Sequence, residues 1–218
     1  RWKYSTDKYK LVNTLYTTNY TNKFKLSMPG VNGNLPSSIH DIGYKGNFQT
    51  NRWHLGIDAI YHTIKPQEVN LKGIYTVNNL KGIEQHPWEL TLFGGYKHPF
   101  TPYLSANVGS KYTYFKSGNA QFHQLSPSAS LSYIDDERQL SLTYALGHQN
   151  LFQTGFTDVG LPTEFWFAAD RRNRPQYAHS LVASGSTFLW ERRYLISADL
   201  FYRRLYNQIE YSGSVLDL

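Results

Sequence analysis

Long stretches of this chain alternate apolar and polar side chains at every second position. In LSPSASLSY (125–133), leucine, alanine and tyrosine side chains fall on one side and four serines on the other. The same pattern runs through QLSLTYALG (139–147) and YLISADLFYRR (194–204). A period of two is typical of a β-strand with one face hidden from water. The chain is therefore predicted to be all-β, without a helical segment.

Nine strands follow from this pattern, preceded by a strand stub at residues 1–4. The predicted ranges are 8–27, 38–49, 52–64, 88–97, 102–115, 121–134, 138–149, 177–189 and 193–211. The absence of cysteine rules out disulfides, so closure or packing of the sheet must stabilise the fold. The net charge of +6 is spread along the chain, which does not indicate nucleic-acid binding.

Strand length separates a soluble sandwich from a membrane barrel, because both hide one strand face and wet the other. Strands in globular proteins are usually about 5 or 6 residues long, whereas a tilted membrane-spanning strand needs about 9 to 11 residues. Several predicted strands exceed the globular length. The connections point the same way. Tight breaks near residues 5–7, 49–51, 98–101, 135–137 and 191–192 alternate with long connections at residues 29–37, 65–87, 115–121 and 150–176. This alternation is typical of an up-and-down outer-membrane barrel.

Aromatic residues flank the predicted tight turns. They include Trp2, Tyr4 and Tyr9 at the first turn, Phe48 and Trp53 at the second, Tyr96 and Tyr103 at the third, Tyr133 at the fourth, and Trp190 and Tyr194 at the fifth. Rings with one polar and one apolar end favour the headgroup zone of a bilayer, so a belt at this level indicates a membrane barrel. Hairpin closure by aromatic pairs is the alternative.

The hairpin formed by residues 38–62 shows which side chains would face lipid. Ile42, Tyr44, Trp53, Leu55 and Ile57 share one face. The opposite face is predicted to line a polar lumen with Asp41, Lys45, Asn47, His54, Asp58 and His62. Residues four apart on a strand are about 13 Å apart, so His54, Asp58 and His62 are not expected to bind a metal or catalyse a reaction.

Two late segments carry a family resemblance. GLPTEFWFAADRRNRPQYAHSLVASG (160–185) and SADLFYRRLYNQIEYSGS (197–214) resemble the late barrel of TonB-dependent outer-membrane receptors of Bacteroidetes. The match rests on Gly160, Leu161, Pro162, Thr163, Glu164, Trp166, Pro175, Gln176, Tyr202, Ile209, Glu210 and Tyr211. The hairpin of residues 38–66 is similar to an earlier one of the same family. Phe201 stands where the family usually has a first tyrosine, and RRNR (171–174) replaces a less basic stretch.

The resemblance implies a 22-stranded barrel with an N-terminal plug that contacts TonB. Residues 1–218 would then be part of one barrel domain, with the plug absent from this chain and the rest of the barrel encoded elsewhere in a longer one. The implied function is uptake of a nutrient, such as a siderophore, vitamin, oligosaccharide or peptide, across the bacterial outer membrane. The implied partners are membrane lipid, lipopolysaccharide, the TonB complex and, in some family members, a surface lipoprotein.

The long connection at residues 150–176 is the strongest candidate for ligand binding. Trp166 and Phe167 stand beside Arg171, Arg172 and Arg174. Aromatic faces and guanidinium groups suit an anionic or sugar-containing ligand. The alternative is that the aromatics fold the loop on itself and the arginines hold lipopolysaccharide phosphates. No cofactor and no enzyme activity are predicted, and a secreted or surface β-rich binding or adhesion protein is the second functional class.

Overall fold

A computed structural model describes residues 1–28, 31–66, 70–73, 83–154 and 165–209. These ranges form strands joined by turns, and none of them contains a helix that could cross a membrane. The strands are β1 (Trp2–Ser5), β2 (Tyr9–Met28), β3 (Val31–Thr50), β4 (Trp53–Lys65), β5 (Asn70–Gly73), β6 (Trp88–Pro99), β7 (Leu104–Ser117), β8 (Ala120–Ile134), β9 (Arg138–Gln149), β10 (Leu151–Thr154), β11 (Phe165–Ala168), β12 (Gln176–Leu189) and β13 (Tyr194–Tyr206).

The main sheet is an antiparallel up-and-down meander. Its strand order is β1-β2-β3-β4-β6-β7-β8-β9-β12-β13, and β5 pairs with β3 beside β4. The sheet is open in the described part of the chain, since β1 pairs only with β2 and β13 only with β12. A second, two-stranded sheet joins β10 to β11. The predicted all-β antiparallel fold, its nine main strands and the stub at the N-terminus are confirmed.

Two of the predicted long connections are short. Met28 pairs with Val31, so β2 and β3 form one long ribbon where a loop over residues 29–37 was expected. Ser117 pairs with Ala120 across Gly118, whose φ is +54°. The strict alternation of short and long connections was therefore wrong at these two places, because backbone pairing extends through residues whose side-chain pattern is irregular. The β5 strand and the β10–β11 hairpin lie inside connections for which no strand was predicted.

The side chains divide by face as the alternation predicts. The register pairs Lys45 with Asp58 and, one residue along, Tyr44 with Ala59, so polar and apolar residues fall on opposite faces. Large side chains of the apolar face are exposed: Leu15 is 63% exposed and Leu125 is 60% exposed. A soluble sandwich would bury these side chains between two sheets. The described residues contain no such dry interior over the apolar face.

Four of the short turns begin with a side-chain oxygen that accepts backbone N–H groups. Thr50 Oγ1 accepts from the N–H of Arg52 and Trp53 at 3.2 and 2.8 Å. Thr6, Thr101 and Asp135 begin their turns in the same way. Such turns are coded locally by Ser, Thr, Asn and Asp. The turn from β12 to β13 differs, because residues 190–192 all have positive φ values.

Candidate functional site

A groove of about 860 Å³ runs along the polar face of the sheet. Its lining residues come from β3, β4, β6, β7, β8, β9 and the turns beside them. The floor is smooth where Gly95 pairs with Gly109. A Cβ on Gly109 would lie only 3.1 Å from the backbone oxygen of Gly94, so a side chain there would press on the neighbouring strand. The groove is therefore wide, polar and shaped by strand register.

The six predicted lumen-lining residues lie on this polar face. Asp41 and His62 form one pair, with His62 Nδ1 2.8 Å from Asp41 Oδ1, and His62 is buried. Thr18 Oγ1 donates to the other oxygen of the same carboxylate at 3.0 Å. Asp41 and His62 lie outside the groove lining, so they form a separate polar pair beside it.

The remaining four residues of that set line the groove. Lys45 Nζ lies 3.6 Å from Asp58 Oδ2, while Asn47 and His54 contribute polar surface nearby. The imidazole of His54 meets the ring of Phe93 edge-on at 5.4 Å. Within the described ranges no three His, Asp or Glu side chains lie close enough to hold a metal ion. These residues give the groove a polar wall without a metal centre in the part of the chain described.

Unpaired positive charge lies near the tight-turn end of the groove and midway along it. Arg52, Lys97 and Lys111 line it, and none lies within ion-pair distance of a carboxylate among the described residues. The acidic side chains on its lining are Asp58, which contacts Lys45, and Glu89. Charges that line a concave surface attract solutes of opposite sign. The groove is therefore suited to anionic solutes.

A buried hydrogen-bonded network closes the other end of the groove. The Thr91 and Thr113 hydroxyl oxygens are 2.9 Å apart, and Thr91 Oγ1 donates to Glu89 Oε1 at 3.3 Å. Asn150 Nδ2 donates to Glu89 Oε2 at 3.1 Å, and Gln124 Nε2 donates to Asn150 Oδ1 at 2.7 Å. Glu89 on β6 and Asn150 after β9 thus meet across the curved sheet. Sequence spacing gave no signal for this network, because its members are far apart in the chain.

The β10–β11 hairpin folds over the same end of the polar face. Phe152 and Ala168 are buried in a small apolar cluster with Ile39, Ile64 and Phe115 of the main sheet. The Phe152 and Phe167 ring centroids are 5.2 Å apart. The cluster fixes the hairpin across strands that are distant in sequence. The connection predicted as a binding loop is thus partly an internal cover of the groove.

The five predicted ligand-binding residues of this connection fall into two groups. Trp166 and Phe167 pack against the apolar cluster, and Trp166 also meets the Tyr20 ring at 6.4 Å. Arg171, Arg172 and Arg174 are exposed in the turn that follows. The structure therefore does not bring the aromatics and arginines together as one open patch. Residues 160–164 of the resemblance motif, together with Glu210 and Tyr211, lie outside the described residues.

A second aromatic belt, which was not predicted, crosses the apolar face away from the tight turns. Tyr112 and Tyr144 contact histidines on the neighbouring strands, with Tyr112 Oη 2.6 Å from His123 Nδ1 and Tyr144 Oη 2.9 Å from His179 Nδ1. The belt comprises Tyr61, His86, Trp88, Tyr112, Tyr114, His123, Tyr144, Tyr177, His179 and Tyr206. A search for histidine and aromatic residues about ten positions from each tight turn would have found it.

The first belt, predicted beside the tight turns, is joined by ring contacts. Trp53 and Tyr96 have ring centroids 4.6 Å apart, and Trp190 and Tyr194 have centroids 5.2 Å apart. Trp53 and Tyr61 are eight residues apart, and Tyr194 and Tyr206 are twelve. At about 3.3 Å per residue, these separations correspond to roughly 20 to 30 Å along an axis tilted about 40° from the strands.

Comparisons with known proteins find a similarity in structure and no family. No protein-family model matches the chain, and no curated protein sequence matches it. The chain is similar to the alcaligin outer-membrane receptor FauA from Bordetella pertussis, with 14% sequence identity and a TM-score of 0.49. The similarity covers 90% of this chain and 34% of that receptor. The chain thus spans about a third of the receptor's length.

Proposed function

We propose that this chain forms part of the wall of an outer-membrane β-barrel that takes up a small nutrient. The observation that supports this proposal is an exposed apolar band between two aromatic belts, with a polar groove on the opposite face of the sheet. Outer-membrane barrels have an outward apolar band about 25 Å tall, aromatic girdles at both edges and a polar interior. The two belts are separated by roughly that height. Transport through the barrel, rather than catalysis, is the proposed activity.

The open edges of the sheet support the idea that further strands complete the barrel. An unpaired strand edge in lipid leaves backbone N–H and C=O groups without partners, at a cost of several kcal/mol each. We propose that the remaining strands close the wall between β1 and β13. The family resemblance suggests that they belong to a 22-stranded receptor with a plug, energised by TonB. Bacteroidetes origin and a partner lipoprotein also follow only from that resemblance.

The positive charge of the groove refines the proposed substrate. Arg52, Lys97 and Lys111 would favour a nutrient with a carboxylate or phosphate group over a neutral one. The network of Glu89 and Asn150 and the β10–β11 hairpin narrow the groove at its long-connection end. A solute entering there would pass the cover before it reaches the cations.

Adjacent residues on β9 provide a matched test of the membrane orientation. Leu142 is half exposed on the apolar face, and Thr143 lines the groove. We expect Leu142→Arg to reduce the free energy of unfolding in lipid vesicles by about 2 to 4 kcal/mol, because arginine in the middle of the bilayer must leave water. Thr143→Arg should cost much less. The measurement is a denaturant titration of the full-length protein in vesicles, with heat-modifiable gel mobility as the check for a folded barrel.

Two results would contradict the proposal. Equal effects of Leu142→Arg and Thr143→Arg would show that the two faces do not differ in environment. A full-length protein that carbonate removes from envelopes, and that is monodisperse without detergent, would instead be a secreted or surface binding protein. Uptake is tested separately, by comparing accumulation of anionic and neutral solutes in cells that carry Lys97→Gln and Lys111→Gln.

A further inference from the structure

The pairing of β8 with β9 stops partway, and a cavity lies where it ends. The two strands pair only over residues 128–134 of β8. Beyond this point Ser126 Oγ lies 2.8 Å from His148 Nδ1, so a side-chain contact replaces the ladder. The neighbouring cavity has a volume of about 530 Å³. We call it the seam pocket, and it goes beyond the uptake groove proposed above.

Four segments of the chain line the seam pocket. Its lining residues are Phe122, His123, Gln124, His148, Arg171, Arg174, Pro175 and Asn207. None of them is acidic. His123 belongs to the second aromatic belt, whereas Gln124 belongs to the network at the end of the groove. The pocket therefore lies in the wall itself, at the level of the second belt.

The two arginines of the pocket come from a turn with a fixed backbone. Asp170 Oδ1 accepts from the N–H of Arg172 at 2.8 Å and of Asn173 at 2.6 Å. The turn is anchored on one side, where the Ala169 N–H donates to the Asn150 carbonyl at 2.7 Å. It is anchored on the other side as well, because Asn207 Nδ2 donates to the Pro175 carbonyl oxygen at 3.1 Å. The backbone that carries the arginines is thus organised before any ligand arrives.

Among the described residues, the arginines of the pocket lack carboxylate partners, and each histidine leaves one ring nitrogen unused. In the described ranges, neither Arg171 nor Arg174 lies within ion-pair distance of a carboxylate. His123 and His148 each use Nδ1 for a hydroxyl group, at 2.6 and 2.8 Å, and neither Nε2 has a hydrogen-bond partner in that part of the chain. Two guanidinium forks and two imidazole nitrogens therefore border one cavity. Arg172, in the same turn, does not line it.

We propose that the seam pocket binds a phosphate group. Guanidinium forks bind phosphate oxygens with paired, charge-assisted hydrogen bonds. The three or four oxygens of a phosphate can accept from both guanidinium forks at once, in more directions than the two coplanar oxygens of a carboxylate allow. Phe122 and Pro175 add apolar surface beside the cations. The phosphate can come from a lipid headgroup at the membrane boundary or from a soluble phosphate ester.

The test compares the full-length, delipidated protein with three variants in detergent. Arg171→Ala/Arg174→Ala removes both forks, Arg171→Lys/Arg174→Lys keeps the charge without the fork, and Arg172→Ala removes one charge from the same turn outside the pocket. One arm titrates inorganic phosphate, and the other titrates mixed micelles of a diphosphorylated glycolipid against its dephosphorylated form. We expect the double alanine variant to lose about tenfold in affinity and the lysine pair to lose less.

The two arms separate the sources of the phosphate. Loss only with the glycolipid assigns a lipid headgroup, and loss with inorganic phosphate assigns a soluble ligand. Unchanged affinity of the double alanine variant in both arms would overturn the proposal. So would an equal loss for Arg172→Ala, which would show a general effect of charge. If the double alanine variant does not fold, as judged by heat-modifiable mobility, the lysine pair against Arg172→Lys carries the test on the same criteria.

Discussion

The two ends of the sheet are held by different kinds of contact. At the tight-turn end, threonine or aspartate at the start of four turns accepts N–H groups from residues two or three positions away. At the other end, a hydrogen bond joins Asn150 to Glu89, which lies 61 positions earlier. Phe152 packs the two-stranded sheet against the main sheet. One end is therefore coded locally and the other by the tertiary fold. Substitutions at the end held by tertiary contacts should therefore reduce stability more, and should affect residues farther away in the sequence.

The largest effect should follow removal of the Phe152 ring. Phe152 is 3% exposed in the cluster that joins the β10–β11 hairpin to the main sheet. We expect Phe152→Ala to weaken docking of the hairpin by about 3 to 5 kcal/mol, because it removes buried surface and leaves a cavity. Hydrogen exchange should rise in residues 151–154 and 165–168 and stay unchanged at the tight turns. Leu125→Ala, on the exposed apolar face, is the control in detergent.

Equal protection of the hairpin from hydrogen exchange in wild type and Phe152→Ala would contradict this prediction. It would mean that the hairpin does not depend on the cluster for its position.

A smaller effect should follow loss of the amide at the end of the groove. Asn150→Leu leaves Gln124 and Glu89 without their shared partner in a buried network. We expect the free energy of unfolding, measured by denaturant titration, to fall by about 1 to 3 kcal/mol. Asn107→Leu is the matched control, because Asn107 Nδ2 makes one long hydrogen bond, 3.3 Å, to Ser130. A larger loss for Asn107→Leu would show that the network does not hold this end.

The smallest effect should be a pH dependence at the tight-turn end. The pKa of Asp135 lies below its ordinary value, because its carboxylate accepts hydrogen bonds from the Glu137 backbone N–H, the Tyr133 hydroxyl and the Arg138 backbone N–H. A lowered folded-state pKa stabilises the turn above about pH 3.9, and this contribution is lost as the pH falls through the folded-state value. The carboxylate is exposed, so solvent screens the effect.

Asp135→Asn isolates this contribution. We expect the wild type to have the higher melting temperature at pH 6, and the difference between the two proteins to shrink between pH 4 and pH 2. A difference that stays constant over this range would show that the Asp135 charge does not stabilise the turn.

Periodicity predicted the parts of this fold that depend on neighbours in sequence. The positions of Lys45 and Asp58 on one face and of Tyr44 on the other follow from parity alone, and the register confirms them. Five tight turns were placed within a few residues. The loop expected at residues 29–37 was wrong because strand pairing, rather than side-chain pattern, sets where β2 and β3 end.

The candidate sites depended more on contacts that no local pattern shows. The six predicted lumen residues share a face, but only the register reveals that Asp41 meets His62 while His54 lies in the groove. The packing of Trp166 against the apolar cluster requires Ile39 of β3 and Ile64 of β4, which lie more than a hundred positions earlier. The end of the β8–β9 ladder, and with it the seam pocket, has no signature in the strand pattern.

The long β2–β3 ribbon is longer than a membrane-spanning hairpin needs to be. Each strand has 20 residues, about twice the 9 to 11 or so that cross a bilayer. In the proposed orientation, the surplus projects from the outer surface by roughly 3 nm, at about 3.4 Å per residue. A macromolecule approaching from that side would then meet this ribbon before the other described strands.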